Sequence, residues 1–172
     1  MDMVWKGGKM IKLDMGCGLN TKKPLDEWIH LDCDKGPHIE IVCDFVDIPL
    51  EDDYVDEIWV GDVIEHVPVW KYHLVFPEWK RILKPHGLLH GTTPSLDSNI
   101  KKYVAGEINR ETLMRNLYGD QAGYPHQHYN LFTKTTLTDL LANYGFKSIN
   151  LDKSPGDKAN PWWLVFSCKN GG

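Results

Sequence analysis

"IKLDMGCGLN" occupies residues 11–20, a short apolar run that breaks into two glycines flanking a cysteine. Glycine loses more conformational freedom on folding than any other residue, so Gly16 and Gly18 cost stability where a buried strand should be finishing. What they offer is freedom of φ and a backbone with no Cβ in the way. Ligands of open α/β sheets bind beyond the carboxyl ends of the strands. The stretch therefore reads as a first strand, residues 10–15, leading into a turn that a ligand approaches closely.

The rest of the chain supplies the sheet. Residues 28–32 ("WIHLD"), 39–43 ("IEIVC"), 57–61 ("EIWVG") and 88–93 read as the second to fifth strands, and 147–151 with 162–167 as a closing pair. Helical spacing of apolar residues spans 70–83, which Pro85–His86–Gly87 ends, and 133–144, with Thr133 as cap and Gly145 after it. Residues 101–117 read as a third helix. Strands alternating with helices predict an α/β fold with a mainly parallel sheet. Only six residues, 33–38, join the second and third strands. A parallel crossover usually takes a dozen or more, so the early crossover helices are expected to be reduced to loops. Segment 94–132 is too long for a simple turn and reads as an insertion with its own helix.

Composition sets the outer limits. The 172 residues are 42% hydrophobic and 25% charged, as expected of one soluble globular domain. No apolar run approaches the roughly 20 residues of a membrane helix. The first ten residues carry no apolar signal segment, which points to a cytoplasmic protein. Cys17, Cys33, Cys43 and Cys168 include no CxxC pair, so reduced thiols are expected and no zinc or redox motif. The formal net charge of −5 argues against nucleic acid as a partner, and the short basic groups Lys22–Lys23, Lys80–Arg81 and Lys101–Lys102 read as solvated faces. Trp59, Trp79, Trp162 and Trp163 read as core or sheet residues, and Tyr103 and Tyr118 as helix packing. His30, His38, His73, His86 and His90 join no constellation.

Acids follow the first three strands in turn: Asp14 just before the glycines, Asp32 ending the second strand, Asp44 following the third. A carboxylate at a strand end can accept from two vicinal ribose hydroxyls. Nicotinamide dinucleotides use such an acid too, but their GxGxxG turn needs a third glycine and a helix start for the pyrophosphate. Here that position is Thr21, followed by Lys22, Lys23 and Pro24. A ligand with a sugar and a base but no pyrophosphate fits better than the nicotinamide-dependent oxidoreductase reading.

Five motifs stand in order: "LDMGCG" (13–18), "EWIHLD" (27–32), "VCDFVDIPL" (42–50), "GDVIEH" (61–66) and "RILKPHG" (81–87). In order and spacing they resemble the class I S-adenosylmethionine-dependent methyltransferases, in particular the small type-11-like subgroup. Residues 119–146 are similar to that family's later helix and sixth strand. Two positions depart: His86 stands for the first glycine of the usual "KPGG" turn, and Phe45 for a common leucine. The resemblance implies a Rossmann-like methyltransferase fold, with a mainly parallel seven-stranded sheet and an antiparallel last strand, and S-adenosyl-L-methionine as cofactor. It also implies roles. Asp14, Gly16, Cys17 and Gly18 shape the methionyl end, Asp32 binds the ribose, Asp44 and Phe45 hold the adenine, and Gly61 offers a backbone carbonyl.

Methyl transfer needs positioning more than acid–base chemistry, because a sulfonium already activates the methyl. Where the acceptor must lose a proton, Glu65 and His66 after the fourth strand are the candidates, His66 first. "YPHQHYN" (124–130) places His126 and His128 in a loop over the cleft. Two histidines two apart, with no third ligand of clear spacing, lead to no metal expectation. The acceptor, small-molecule or saccharide, and the oligomeric state are not readable from these residues. Because the chain is close to a minimal core, a catalytically silent S-adenosylmethionine-binding domain serving a partner protein is the alternative.

Overall fold

A computed structural model describes residues 9–19, 21, 23–120, 126–151 and 162–172. Seven strands form one sheet: β1 (Lys12–Met15), β2 (Ile29–Asp32), β3 (Ile41–Val42), β4 (Val55–Gly61), β5 (Leu83–Pro94), β6 (Phe146–Leu151) and β7 (Trp163–Asn170), in the order β3-β2-β1-β4-β5-β7-β6. The first five run parallel, and β7 is antiparallel to both its neighbours. The chain reverses its direction of growth between β3 and β4, so β1 and β4 lie side by side at the centre. That is the switch point where open α/β sheets bind ligands.

Among the described residues no helix joins β1 to β2, β2 to β3 or β3 to β4. The parallel pairing survives because side chains replace the missing helices as supports. Glu40 Oε2 accepts from the His30 amide at 2.7 Å, and Glu78 Oε1 accepts from the Ile48 amide at 2.7 Å. Arg81 gathers the 48–52 turn by donating to the carbonyls of Ile48 and Leu50 and to Asp52.

Four helices follow: α1 (Tyr72–Ile82), α2 (Leu96–Val104), α3 (Arg110–Tyr118) and α4 (Lys134–Asn143). The single helix expected over 101–117 is two helices. Gly106 takes a left-handed φ of 72°, and Asn109 caps a fresh start by accepting from the Thr112 amide at 2.8 Å. Helix α2 also begins earlier than expected, on a Ser95 cap. Strand β5 begins earlier too. Leu83 already pairs with Val55, and residues 84–87 bulge out before Leu88 pairs with Glu57. His86 sits in that bulge at φ 63°, the conformation that suits a glycine.

Register sorts the sheet into two faces. Ile29, Leu13, Ile58, Leu89 and Cys168 lie in one cross-strand row. They join the buried core with Phe76 and Trp79 of α1 and Leu137 and Leu141 of α4. The adjacent row, His30, Asp14, Trp59 and His90, faces the other way and is polar and aromatic. Lys23 covers it, its ammonium 3.7 Å from the Trp59 ring centroid. Trp79 is fully buried as expected, whereas Tyr103 and Tyr118, expected to pack helices, are exposed. No described helix is long and apolar enough to cross a membrane.

On the polar face, Glu57 Oε1 lies 2.9 Å from His90 Nε2, and Lys12 approaches Oε2 at 3.4 Å. The His90 contact is the main cause that holds the Glu57 carboxyl below its ordinary value, with burial opposing. A depressed carboxylate stabilises the fold fully above its unfolded value, near 4.3, and the contribution disappears as pH falls through the lower folded value. Urea denaturation of wild type and Glu57→Gln should therefore show a stability gap that is present at about pH 5.5 and narrows below about pH 4. A gap that is independent of pH would show that this contact does not act through the carboxylate charge.

Candidate functional site

The turn after β1 is built around its glycines. Gly16 and Gly18 adopt φ of 70° and 62°. A Cβ on Gly16 would overlap Val63 Cγ2, so the strand ends of β1 and β4 approach each other only because residue 16 has none. The Gly16 and Cys17 amides donate to the Leu31 carbonyl, and the Gly18 amide donates to Asp32 Oδ2 at 2.8 Å. His38 Nε2 closes the turn from the other side, 3.0 Å from the Gly18 carbonyl.

Asp32 is the organising group. Its second oxygen accepts from the Asp34 amide at 3.0 Å. A carboxylate offers about four acceptor positions. Two amides fix its plane at the end of β2 and leave capacity for donors from a ligand. Asp32 lines a cleft of about 290 Å³ together with Gly16, Gly18, Phe45, His66 and His126. Its walls are mostly apolar, from Leu19, Ile39, Val63 and Phe45. The ring of Phe45 meets Trp79 edge-on, which ties this wall to the core.

The other predicted cofactor residues lie off this wall. Asp14 is buried, accepting from Thr21 Oγ1 at 2.5 Å, with His30 Nε2 at 3.8 Å. Burial is the main cause that pushes its carboxyl above the ordinary value, partly offset by Thr21. Asp14 thus supports the glycine turn from beneath. Asp44 forms an ion pair with Lys71 at 2.7 Å. Cys17 and Gly61 complete the turn and β4 without lining the cleft. Sequence reasoning missed Asp62, which lines it from a left-handed φ of 55° just after β4, and His38, whose spacing gave no signal.

A second pocket of about 430 Å³ adjoins the first and shares Asp62, His66 and His126 with it. Glu65 and His128 line only this one. Seven of its eleven lining residues come from segment 94–132, among them Arg115, Asn116 and Asp120. Trp163, read from sequence as a sheet residue, also faces it. Residues 64–66 form a short 3-10 turn, and the segment after residue 126 is stitched to it. Tyr129 and Asn130 amides donate to the Glu65 carbonyl, and Gln127 O lies 3.1 Å from His66 Nδ1. Glu65 is buried, and that desolvation holds its carboxyl well above the ordinary value, with Asp62 adding to the effect. His128 is shifted downwards, by burial first and by His66 second. Tyr124 and Pro125 of the histidine loop lie outside the described residues, as do Lys22 and residues 152–161.

Residues 24–151 match the family model described as a methyltransferase domain, about three quarters of the chain. The chain belongs to the methyltransferase-domain family. No curated protein matches its sequence. Solved structures share the methyltransferase's fold. One is a SAM-dependent methyltransferase from Archaeoglobus fulgidus, 16% identical, with a TM-score of 0.61 over 94% of this chain and 86% of that one. Another is the Burkholderia thailandensis 1,6-didemethyltoxoflavin-N1-methyltransferase, crystallised with 1,6-didemethyltoxoflavin and S-adenosylhomocysteine, 16% identical, with a TM-score of 0.65 over 94% and 71%. A third, from Thermotoga maritima and described as a possible histamine N-methyltransferase, is 17% identical, with a TM-score of 0.63 over 95% and 83%. At these identities the likeness is one of fold, that of the class I S-adenosylmethionine-dependent methyltransferases, whose cofactor is S-adenosylmethionine.

The acids that frame the methyltransferase's cleft also quiet its thiols. Cys33 borders the cleft and is exposed, yet burial of its sulfur and the Asp32 charge push the thiol up to about 11. Cys17 is raised to about 12, by burial first and then by the charges of Asp14 and Asp32. Iodoacetamide at pH 8 should label Cys33 about 10–20-fold more slowly than free cysteine, after allowing for the greater nucleophilicity of a more basic thiolate. The rate should still be rising at pH 10. Labelling as fast as free cysteine would mean that neither burial nor the Asp32 charge suppresses the thiolate.

Proposed function

We propose that the chain transfers the methyl group of S-adenosyl-L-methionine to a polar small-molecule or saccharide acceptor. The cofactor would lie in the cleft at the ends of β1, β2 and β4, and the acceptor in the pocket framed by 94–132. The observation that carries this reading is Asp32, a carboxylate fixed by two amides on the cleft wall with acceptor capacity to spare. A vicinal diol is the donor pair such a group suits. The bare turn at Gly16 and Gly18 leaves room for a ligand against the backbone, and Phe45 supplies an aromatic wall for a base. Among the described residues no helix starts behind the glycines, so the amide-and-dipole seat that a pyrophosphate uses is missing, which weighs against a dinucleotide.

In this reading Asp32 holds the sugar, and Phe45 with the apolar walls desolvates the base. Asp14 acts through Thr21 on the turn, and Asp44 and Gly61 keep strand ends in place. When bound, S-adenosylmethionine supplies a methyl already activated by a positive sulfur. The protein's own work is to exclude water and hold the acceptor in line. His66 and His126 line both cavities and so stand where the reacting atoms would meet. The adjoining pocket favours turnover over the silent-domain alternative, because a binding-only domain has no use for an acceptor chamber. Its acids and the net charge of −5 disfavour nucleic acid and favour a neutral or basic polar acceptor.

Calorimetry with S-adenosylmethionine tests the cofactor reading. Asp32→Ala should weaken binding about 10- to 150-fold, the scale of a lost charge-assisted hydrogen bond of about 1.5–3 kcal/mol. Far-UV circular dichroism should stay unchanged. Equal affinity for both proteins would remove Asp32 from the ribose. Release of S-adenosylhomocysteine with any member of an acceptor panel would establish turnover, and tight binding with none across a broad panel would favour the silent domain.

A further inference from the structure

The acceptor-side pocket holds a group that the reading above leaves unexplained. Glu65 is 1% exposed. Its Oε2 accepts from Thr93 Oγ1 at 2.9 Å, while Oε1 is buried without a hydrogen-bond partner. Burying an unsatisfied carboxyl oxygen is costly unless something positive meets it. Two imidazoles lie beside this carboxyl group. The rings of His66 and His128 lie 4.7 Å apart, centroid to centroid, and nearly perpendicular. A carboxylate oxygen of Glu65 and one ring nitrogen of each histidine all lie within 4.8 Å of one another. His128 Nδ1 is also buried without a partner.

The tautomer of His66 follows from its neighbour. A carbonyl can only accept, so Gln127 O at 3.1 Å places the hydrogen on Nδ1 and the lone pair on Nε2. Metal-ligating histidines are held this way, one nitrogen donating to a carbonyl while the other binds the ion. We propose that Glu65, His66 and His128 bind a divalent first-row transition-metal ion at the wall of this pocket. Two imidazoles and one carboxylate suit zinc, iron(II), cobalt or manganese better than magnesium or calcium, which prefer oxygen alone. Bonds of about 2.0–2.2 Å around a tetrahedral ion need ligand atoms about 3.3–3.6 Å apart, so ligand atoms now within 4.8 Å of one another close by at most about 1.5 Å on binding. Sequence spacing hid the site. Of the HxH pair only His128 takes part, and its companions come from the turn after β4, more than sixty residues earlier. Three protein ligands leave coordination positions open toward the pocket. If the pocket is the acceptor's, as proposed above, an oxygen of the acceptor takes one of them.

A second set of close ligand atoms, Asp32, Cys33 and Asp34, makes the choice of probe important, because it would bring a thiolate. The full chain, stripped with a chelator and free of cofactor and acceptor, is titrated with Co²⁺ and followed by calorimetry and visible absorption. One equivalent should bind, giving ligand-field bands with no thiolate charge-transfer band. His128→Ala and Glu65→Gln should each weaken binding at least about 10-fold, and Cys33→Ser should leave it unchanged. Far-UV circular dichroism and affinity for S-adenosylmethionine, whose cleft neither Glu65 nor His128 lines, should match wild type and so certify both folds. Absence of Co²⁺ binding by the wild type, a thiolate band, or equal binding by both variants overturns the site. None of these readouts needs methyl transfer, so the site can stand or fall apart from the proposed reaction.

Discussion

The Gly18 amide rests on the Asp32 carboxylate, and the cleft depends on that bond. A strand end followed by glycines is loose by nature, and among the described residues no helix follows to hold it. The loop is fixed by side chains instead: Asp32 on one amide, His38 on the Gly18 carbonyl, and Asp14 on Thr21. Each anchor comes from β1, β2 or the loop just beyond β2, so pairing of these strands and shaping of the cleft are one event. The same carboxylate that would grip a ligand also builds the wall on which the ligand would lie. That dual role explains why so short a chain can form a cleft with its early crossovers reduced to turns.

The sheet divides its labour by face. One cross-strand row is apolar and carries α1 and α4, which supply the buried aromatic contacts of the core. The next row places His30, Asp14, Trp59 and His90 together, where an ordinary α/β sheet would bury aliphatic side chains. Polar groups there survive because they meet each other: His30 near Asp14, His90 near Glu57, and Lys23 over the tryptophans. The arrangement stiffens the strand ends from below without taking space from the cleft.

The turn after β4 links the two cavities. Asp62 and His66 touch both, and the residues beyond 126 are bonded to the Glu65 carbonyl. A movement of the segment that carries His126 and His128 would therefore change both cavities together. Such coupling suits a transfer in which two reactants must be held in line and shielded from water.

The sheet was legible in the amino-acid order because its signals are local. Apolar runs, glycine turns and the shortness of residues 33–38 each report on a few neighbouring positions, and together they defined seven strands with reduced crossovers. The break between α2 and α3 escaped because Gly106 and the Asn109 cap outweigh a helical pattern that runs through them. Asp32 and the glycines could be read as a site because strand ends in this topology converge on one edge. Which acids reach the cleft could not. Asp14 and Asp44 have partners, Thr21 and Lys71, that only folding brings near. The Glu65, His66 and His128 cluster lies further still from the linear order, since His128 is held there by its own amide on the Tyr118 carbonyl and by the Tyr129 and Asn130 amides on the Glu65 carbonyl. Local residue order sets where a strand ends, but distances between residues sixty positions apart are set by packing, and site chemistry depends on those distances.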